Sequence, residues 1–302
     1  MPVPDAAGSA PGASATAGRT ASGPATSPAR PGGASIGKRL LTAAVGIPIL
    51  YFSIKAGPVW LTFVLVGACA ALASWEACGL LTTPQRRPMT AIAMAGSVLL
   101  PAPFLVPSIP LALPLVVVLA LTLAGSAVYR RELPEQVEAS IATVFVVIFV
   151  GFPLGFLTAL RATPDEEMGR DLLVLLLVIV WLGDTAAMYV GSMIGRHRLA
   201  PRISPGKSVE GAIAGIVAGS LAGLLAHFWW FHRLPIGHAL AIGALVGCAG
   251  IAGDLAESVL KRAAGAKDSS HLLPGHGGFL DRIDSLLFAG PVLYYYYQAL
   301  LR

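Results

Sequence analysis

Residues 258–284 read SVLKRAAGAKDSSHLLPGHGGFLDRID and form the only long polar passage in the last third of the chain, between two apolar segments. These 27 positions contain three carboxylates, four cationic side chains and two histidines. Proline and glycine at positions 274, 275, 277 and 278 predict a tight turn. A hydrophobic chain does not need such a passage in order to fold, so we interpret it as the functional centre of the molecule.

The residue types in this passage suit the binding of polyphosphate together with a divalent cation. Carboxylates supply the hard oxygen ligands that Mg²⁺ prefers, lysine and arginine neutralise phosphate, and glycine lets backbone N–H groups approach it closely. Asp281 and Asp284 would share one face of a helix that begins near Leu280. Upstream, the same helical spacing recurs at Asp254, Glu257, Ser258 and Lys261.

The composition of the chain is that of an integral membrane protein. Hydrophobic residues make up 55% of the chain, charged residues only 12%, and the mean hydropathy is +0.73, whereas about a quarter of the residues in an ordinary soluble domain are charged. The net charge of +5 could indicate a nucleic-acid partner, but the cations are spread over short loops. That distribution is typical of the positive-inside rule, so we expect no nucleic-acid partner.

The beginning of the chain differs from the rest. Of the first 35 residues, 30 are Ala, Gly, Pro, Ser or Thr, so the segment has no hydrophobic surface to bury and no periodic pattern. We predict that residues 1–37 form a disordered cytoplasmic tail and that residues 38–302 form one membrane-embedded domain.

The apolar segments predict an all-α, polytopic membrane protein with about nine transmembrane helices and a cytoplasmic N-terminus. Most segments approach the ~20 residues that a bilayer requires, and they cover residues 40–54, 58–82, 89–106, 109–128, 139–160, 172–194, 210–231, 236–260 and 284–301. The proline-rich region 89–128 could instead form one broken span. Two spans place 16 Lys and Arg residues inside and five outside, whereas one span gives 10 and 11. The positive-inside rule therefore favours nine helices.

Four acidic residues lie within the apolar segments or at their ends, namely Glu76, Asp184, Asp254 and Glu257. A carboxylate at the centre of a transmembrane helix costs about 2.5 to 3.5 kcal/mol, so each one requires a partner or a function. In the nine-helix arrangement all four fall in or near the cytoplasmic half and could converge on one cavity. Asp254 could bind Mg²⁺ with Asp281 or pair with Lys261 or a neighbouring helix, Glu257 could support the metal ligands, and Glu76 could form an interhelical salt bridge.

A second polar motif, WLGDTAAMYVGSMIGRHRLAPRISPGKSVEG, covers residues 181–211 and contains a basic loop. Ser204, Lys207 and Ser208 precede the next apolar segment, where the N–H groups of a helix N-terminus favour anions, so we interpret them as ligands of nucleotide phosphates. An ordinary cationic loop on the cytoplasmic side is the alternative. The GKS sequence does not form a P-loop, because Pro201 stands where the earlier glycine is required and no strand precedes it.

The run S-x-L-K-R-x4-K-D-x-S-x2-L-P-x-H-G-G-F-x-D-R-I-D in residues 258–284 resembles the signature of the phosphatidate cytidylyltransferases, or CDP-diacylglycerol synthases, and residues 181–211 resemble a second pattern of that family. The resemblance implies a membrane enzyme that transfers CMP from CTP to phosphatidic acid, giving CDP-diacylglycerol and pyrophosphate. It also implies a multi-pass protein of the inner or plasma membrane, an active site on the cytoplasmic side, and a homodimer.

In the implied reaction the lipid phosphate attacks the α-phosphorus of CTP, and the main obstacle is repulsion between two anions. We expect one or two Mg²⁺ ions, with a monovalent cation as a further option, to relieve that repulsion. The expected metal ligands are Asp254, Asp281, Asp284 and Asp184. The expected phosphate partners are Lys207, Lys261, Arg262, Lys267 and Arg282, with the backbone of Gly277 and Gly278.

Three further residues near these motifs bear on the assignment. His276 is expected to contact phosphate or a metal-bound water, or else to stabilise the turn. Met188 and Ser192 depart from the family pattern, which puts a direct role for that face of the Asp184 helix in doubt.

Two other classes of protein share some of these features. Ion-coupled transporters also carry intramembrane acids and broken helices, but this sequence has no internal repeat, and its polar motifs cluster at one membrane face. A noncatalytic scaffold with a degenerate site is the third class, and the intact signature argues against it.

Overall fold

The computed structural model describes residues 44, 46–81, 87–106, 108–128, 132–270, 272 and 277–302. The predicted tail, residues 1–37, lies outside them. The described chain is mostly helical, with one antiparallel hairpin of strands β1 (Arg198–Ala200) and β2 (Ser204–Ser208). The helices are α1 (Gly46–Lys55), α2 (Val59–Leu81), α3 (Arg87–Leu99), α4 (Ala102–Leu105), α5 (Ala112–Val128), α6 (Leu133–Val146), α7 (Phe152–Arg161), α8 (Glu166–Ile194), α9 (Val209–Trp229), α10 (Ile236–Ala263) and α11 (Leu280–Leu300).

Five helical segments in the described part are long and apolar enough to cross a bilayer: α2, the segment Leu133–Arg161 that joins α6 to α7, α8, α9 and α10. Shorter apolar helices occur at the other predicted segments of the N-terminal half. Each of the nine predicted segments contains a helix, and the chain is a helical membrane protein. How many helices cross the membrane, and on which side the N-terminus lies, stay predictions.

The proline-rich region 89–128 contains two longer helices, α3 and α5, which pack side by side, and the four-residue helix α4 between them. An added Cβ at Gly96 of α3 would lie 2.7 Å from Val118 of α5, and one at Gly125 of α5 would lie 2.9 Å from Ile92 of α3. Because the contacts pair later residues of one helix with earlier residues of the other, α3 and α5 are antiparallel. The region is therefore broken into separate helices, and its prolines explain the break, since proline cannot donate to a helical ladder. Whether both helices cross the membrane stays a prediction.

A π-helical segment, Val147–Gly151, connects α6 to α7. Pro153 follows within the first turn of α7 and lacks the N–H that would continue a regular ladder. Gly151 lies directly against α3, where an added Cβ would be 2.5 Å from the Cα of Ser97. Only glycine fits where this segment touches α3.

Glycines bring α9, α10 and α11 into close contact. An added Cβ at Gly243 of α10 would lie 2.3 Å from the carbonyl oxygen of Gly219 in α9. At the next interface, an added Cβ at Gly253 of α10 would lie 2.4 Å from the carbonyl oxygen of Asp284 in α11. Small residues let the backbones of membrane helices approach this closely. The second contact places Asp254, the neighbour of Gly253, beside the first turns of α11.

Ion pairs join helix ends at the start of α8. Lys55 at the end of α1 pairs with Asp171, and Arg233 pairs with Asp165, the N-cap of α8. The hydrogen bond from Arg233 is the main cause that holds the pKa of the Asp165 carboxyl below its usual range, and the N–H of Met168 contributes less. Lys55 and Arg233, which belong to the five cations counted outside in the nine-helix arrangement, thus both pair with acids near the start of α8.

Candidate active site

A polar cavity of about 540 Å³ lies between the hairpin and helices α8, α10 and α11. The two polar motifs, which are far apart in the sequence, therefore meet in one place. Of the residues that were predicted to bind metal or phosphate, the cavity is lined by Asp184, Lys207, Ser208, Asp254, Lys261, Asp281, Arg282 and Asp284.

Three carboxylates form a candidate metal site, which we call the carboxylate cluster, and two of them, Asp254 and Asp284, line this cavity. One oxygen atom each of Asp254, Glu257 and Asp284 lies within 4.8 Å of the other two. Asp254 and Glu257 are three positions apart on α10, and the close contact at Gly253 brings Asp284 to them. Glu257 is fully buried, and its Oε1 has no hydrogen-bond donor among the described residues. Buried charges are normally paired or bound to a metal, so the cluster fits a cation.

Two lysines contact the acids of the cavity. Lys207 pairs with Asp254. Lys261 pairs with Glu257 on its own helix and donates to Asp281 Oδ1 at 2.6 Å. The partner of Asp254 is therefore Lys207 and not Lys261, which had been the structural alternative. With Asp284 included, four carboxylates face two ammonium groups, and a divalent cation would balance the excess negative charge.

Asp281 is held at both of its carboxylate oxygens by the protein itself. Lys261 donates to Oδ1, while the backbone N–H groups of Ser269 and Gly278 donate to Oδ2 at 3.1 and 2.8 Å. A carboxylate offers about four lone-pair sites, so most of this acceptor capacity is already used. Asp281 lies beside the carboxylate cluster, and its role as a metal ligand stays a prediction.

The glycines of the predicted turn are required by its geometry. Gly277 has a φ of +77°, in the left-handed region that glycine adopts without strain. An added Cβ at Gly278 would lie 1.8 Å from Ser269 Oγ and 2.9 Å from the backbone nitrogen of Ser270. The N–H of Gly278 donates to Asp281, so this group has a partner within the protein. Phosphate binding by the two glycines stays a prediction.

Glu76 reaches the same turn from α2 and accepts four hydrogen bonds. The donors are the hydroxyls of Ser269 and Ser270, at 3.0 and 2.5 Å, and the backbone N–H groups of Phe279 and Leu280, at 2.8 and 2.6 Å. The residue is only 2% exposed. Among the described residues no ion pair to Glu76 occurs, so hydrogen bonds take the place of the salt bridge considered from the sequence.

The hairpin carries the predicted phosphate ligands of the second motif. Ser208 is the N-cap of α9, and its Oγ accepts the N–H of Gly211 at 3.1 Å. Ser204 begins β2, and Arg262 of α10 donates from Nε to the carbonyl oxygen of Ile203 at 3.1 Å. Arg262 therefore anchors the hairpin to α10. The phosphate-binding roles of these residues stay predictions.

The remaining predicted site residues occupy different positions. Asp184 lines the cavity from α8, with the hydroxyl of Ser285 3.5 Å from its Oδ2. Arg282 lines the cavity from α11, whereas Lys267 is exposed and does not line it. His276 lies outside the described residues.

A second, mostly apolar cavity of about 570 Å³ adjoins the polar one. Side chains of apolar helices line it, including Leu50 of α1, Val66 of α2 and Leu173 of α8. Four residues line both cavities, namely Asp184, Asp281, Arg282 and Asp284. A ligand with an apolar body and an anionic head could therefore place its head near the acids.

Three residues have contacts at this site that were not predicted from the sequence. Glu257 was given a supporting role, although its spacing from Asp254 on α10 was the available sign that both could join one cluster. Ser269 and Ser270 were not singled out, because serines in a polar loop carry no distinctive pattern. Their partner Glu76 lies 193 and 194 positions away.

Comparison with known proteins agrees with the geometry. Residues 37–300 match the family described as the cytidylyltransferase family. A phosphatidate cytidylyltransferase from Pseudomonas aeruginosa is 36% identical over 275 residues, covering 84% of this chain and 94% of that protein. One from Synechocystis is 43% identical over 141 residues, covering 45% of this chain and 47% of that protein. The uncharacterized protein YnbB of Escherichia coli is 32% identical over 260 residues, covering 83% of this chain and 84% of that protein.

Proposed function

The chain belongs to the cytidylyltransferase family and is an enzyme of the phosphatidate cytidylyltransferase class, and we propose that it transfers CMP from CTP to phosphatidic acid in the polar cavity. The products are CDP-diacylglycerol and pyrophosphate. The observation that carries this proposal is the meeting of the polar and apolar cavities at the same acidic and basic side chains.

The two cavities suit the two substrates. A nucleotide triphosphate is polar and anionic, and the polar cavity offers Lys207, Lys261 and Arg282 to its phosphates. Phosphatidic acid has long acyl chains and a phosphate head, and the apolar cavity could take the first part of those chains while the head reaches Arg282. An enzyme that joins these substrates requires such a junction of polar and apolar surfaces.

We propose that Asp254, Glu257 and Asp284 hold Mg²⁺, with Asp184 and Asp281 as further candidates. The fit is supported by the buried, unpartnered Oε1 of Glu257 and by the surplus of carboxylates over lysines. When bound there, Mg²⁺ would supply positive charge against the negative charge of the polyphosphate. The carboxylate cluster is otherwise a group of like charges that burial disfavours.

The side chains of the cavity have separate tasks in this reaction. An oxygen of the lipid phosphate forms the new bond to the α-phosphorus of CTP, and the bond to the pyrophosphate oxygen breaks. Because the attacking phosphate is already an anion, no strong general base is needed. Lys207 and Arg282 attract the two anions and reduce their repulsion, while Lys261 keeps Asp281 in place through its 2.6 Å hydrogen bond.

The proposal includes a location and an assembly. CTP is cytoplasmic, so we place the polar cavity at the cytoplasmic face of the inner or plasma membrane, which the positive-inside count of the sequence supports. Thiol labelling of a cysteine introduced at Leu272, which is exposed next to the turn, would locate this face. We also propose a homodimer, which light scattering of the detergent-solubilised protein would test.

The function is tested by supplying purified protein with CTP, Mg²⁺ and phosphatidic acid and measuring CDP-diacylglycerol and pyrophosphate. ATP, GTP and UTP in place of CTP should give little product. Asp254→Asn and Asp281→Asn should abolish transfer without preventing membrane insertion. Asp165→Asn is the matched control, because Asp165 is far from the cavity and asparagine also caps helices well. A wild-type protein that forms no CDP-diacylglycerol would refute the proposal, and a fully active Asp281 variant would remove that residue from the site.

A further inference from the structure

The start of α11 has to be held in place by something outside that helix. Phe279 is the N-cap residue and its side chain makes no capping hydrogen bond. The first N–H groups of a helix have no partner within the helix and must find one elsewhere. The first two turns of α11 also carry Asp281, Arg282 and Asp284, which line both cavities. Any movement of this end would displace all three.

The partner of the N–H groups of Phe279 and Leu280 is Glu76, a residue of another helix. Its Oε1 accepts the N–H of Phe279 at 2.8 Å, and its Oε2 accepts the N–H of Leu280 at 2.6 Å. A carboxylate at a helix N-terminus also interacts favourably with the helix dipole. α2 thereby supplies the cap that α11 lacks.

The same carboxylate holds the loop that precedes α11. The hydroxyl of Ser270 donates to Glu76 Oε1, and the hydroxyl oxygen of Ser269 lies 3.0 Å from Glu76 Oε2. The Ser269 hydroxyl is also 3.1 Å from Asp281 Oδ2, and the backbone N–H of Ser269 donates to that oxygen. Ser269 therefore links Glu76 directly to the carboxylate that Lys261 contacts.

We propose that Glu76 is a positioning residue for the transfer reaction, which fixes the turn and the first residues of α11 so that Asp281, Arg282 and Asp284 face the substrates. This proposal rests on the proposed function. Glu76 does not line either cavity, and it acts through the residues that it holds. All four acceptor sites of its carboxylate are used for this purpose.

The decisive variant is Glu76→Gln, which keeps the size of the side chain but replaces one acceptor oxygen with an amide that can only donate. At least one backbone or hydroxyl donor would then face another donor. We expect kcat to fall about tenfold or more, corresponding to about 1.4 kcal/mol, with the KM for CTP changed less than kcat. Glu76→Asp keeps the negative charge and should recover part of the loss.

The control is Ser74→Ala, two positions away on α2. Ser74 is equally buried but donates to Ser97 of α3 and makes no contact with the turn. If Glu76 served only to pack α2, both variants would lower thermal stability and leave the kcat of the folded protein unchanged. Our inference instead predicts that kcat falls only in the Glu76 variant.

Hydrogen exchange gives a readout that does not depend on activity. The amides of Phe279 and Leu280 should exchange at least about tenfold faster in Glu76→Gln, while amides in the middle of α10 keep their wild-type rates. Should Glu76→Gln fail to accumulate, Ser270→Ala removes one donor and should show a smaller change of the same kind. Wild-type kcat together with wild-type exchange in these variants would overturn the inference. A wild-type protein without transfer activity would instead refute the proposed function. The exchange data would still test whether Glu76 holds the start of α11.

Discussion

Replacing Gly278 with alanine tests the geometry of the turn most directly. The added Cβ would lie 1.8 Å from Ser269 Oγ, 2.8 Å from Glu76 Oε2 and 2.9 Å from the backbone nitrogen of Ser270. Rotating the serine hydroxyl away relieves only the first contact. The backbone of the turn must therefore move as well.

The size of the effect follows from what is lost. The displaced Ser269 hydroxyl gives up its hydrogen bond to the Glu76 carboxylate, which is worth about 1.5 to 3 kcal/mol. The contact with the backbone nitrogen of Ser270 costs a similar free energy. A shift of about 1 Å at groups that position substrates can lower a rate about 100-fold. We therefore expect Gly278→Ala to retain about 1% of the wild-type rate of CMP transfer, measured per amount of monodisperse protein.

Two other glycines make this a graded series. Gly277→Ala places a side chain at a φ of +77° and 3.0 Å from Asp281 Oδ2, a strain of about 1 to 2 kcal/mol, so its loss should be intermediate. Gly79→Ala is the control, since no atom lies within 4 Å of the added Cβ and the position is three residues from Glu76. If Gly278→Ala kept more than half of the activity of Gly79→Ala, the turn would tolerate a Cβ at position 278 and its geometry would not control the rate.

Three further predictions concern the two cavities. Lys207→Met leaves Asp254 without its partner and should raise the KM for CTP about tenfold, about 1.4 kcal/mol, in steady-state assays; an unchanged KM would contradict a role in nucleotide binding. Glu257→Gln should weaken the binding of Mn²⁺, used as a paramagnetic probe without nucleotide, by about 10 to 100-fold; wild-type affinity would exclude Glu257 from the metal site. Val66→Trp, which fills the apolar cavity, should raise the KM for phosphatidic acid but not for CTP, whereas Ile141→Trp on the exposed face of α6 should change neither.

Much of the architecture could be predicted because it depends on local pattern. Length and hydropathy located the helices, and the Lys and Arg count favoured a junction within region 89–128, where α3 and α5 are separate helices. The meeting of both polar motifs at one cavity could also be predicted, because acidic residues within apolar segments need polar partners and the other motif supplies them. The helices and their junction depend on residues that are near one another in the chain.

The contacts that hold the site together could not be predicted in this way. Glu76 meets its partners across 193 to 204 positions, and no local pattern reports which helix will pass behind the turn. Lys261 shows the same limit at short range. Its spacing was compatible with Asp254, but it pairs with Glu257 one turn away on α10 and, because α11 approaches, also with Asp281.

The need for these contacts follows from where the substrates have to meet. A helix terminus is normally the part of a helix that opens most easily, yet here the first turns of α11 carry the residues shared by both cavities. Elsewhere in the bundle, helices α9, α10 and α11 are positioned by glycine contacts along their lengths, and such contacts cannot fix a terminus that emerges from a polar turn. A buried carboxylate can, because it satisfies the free N–H groups and tolerates no alternative donor geometry. The four hydrogen bonds thus offset the cost of burying Glu76 at a terminus that, in the proposed reaction, has to hold Asp281, Arg282 and Asp284 toward both substrates.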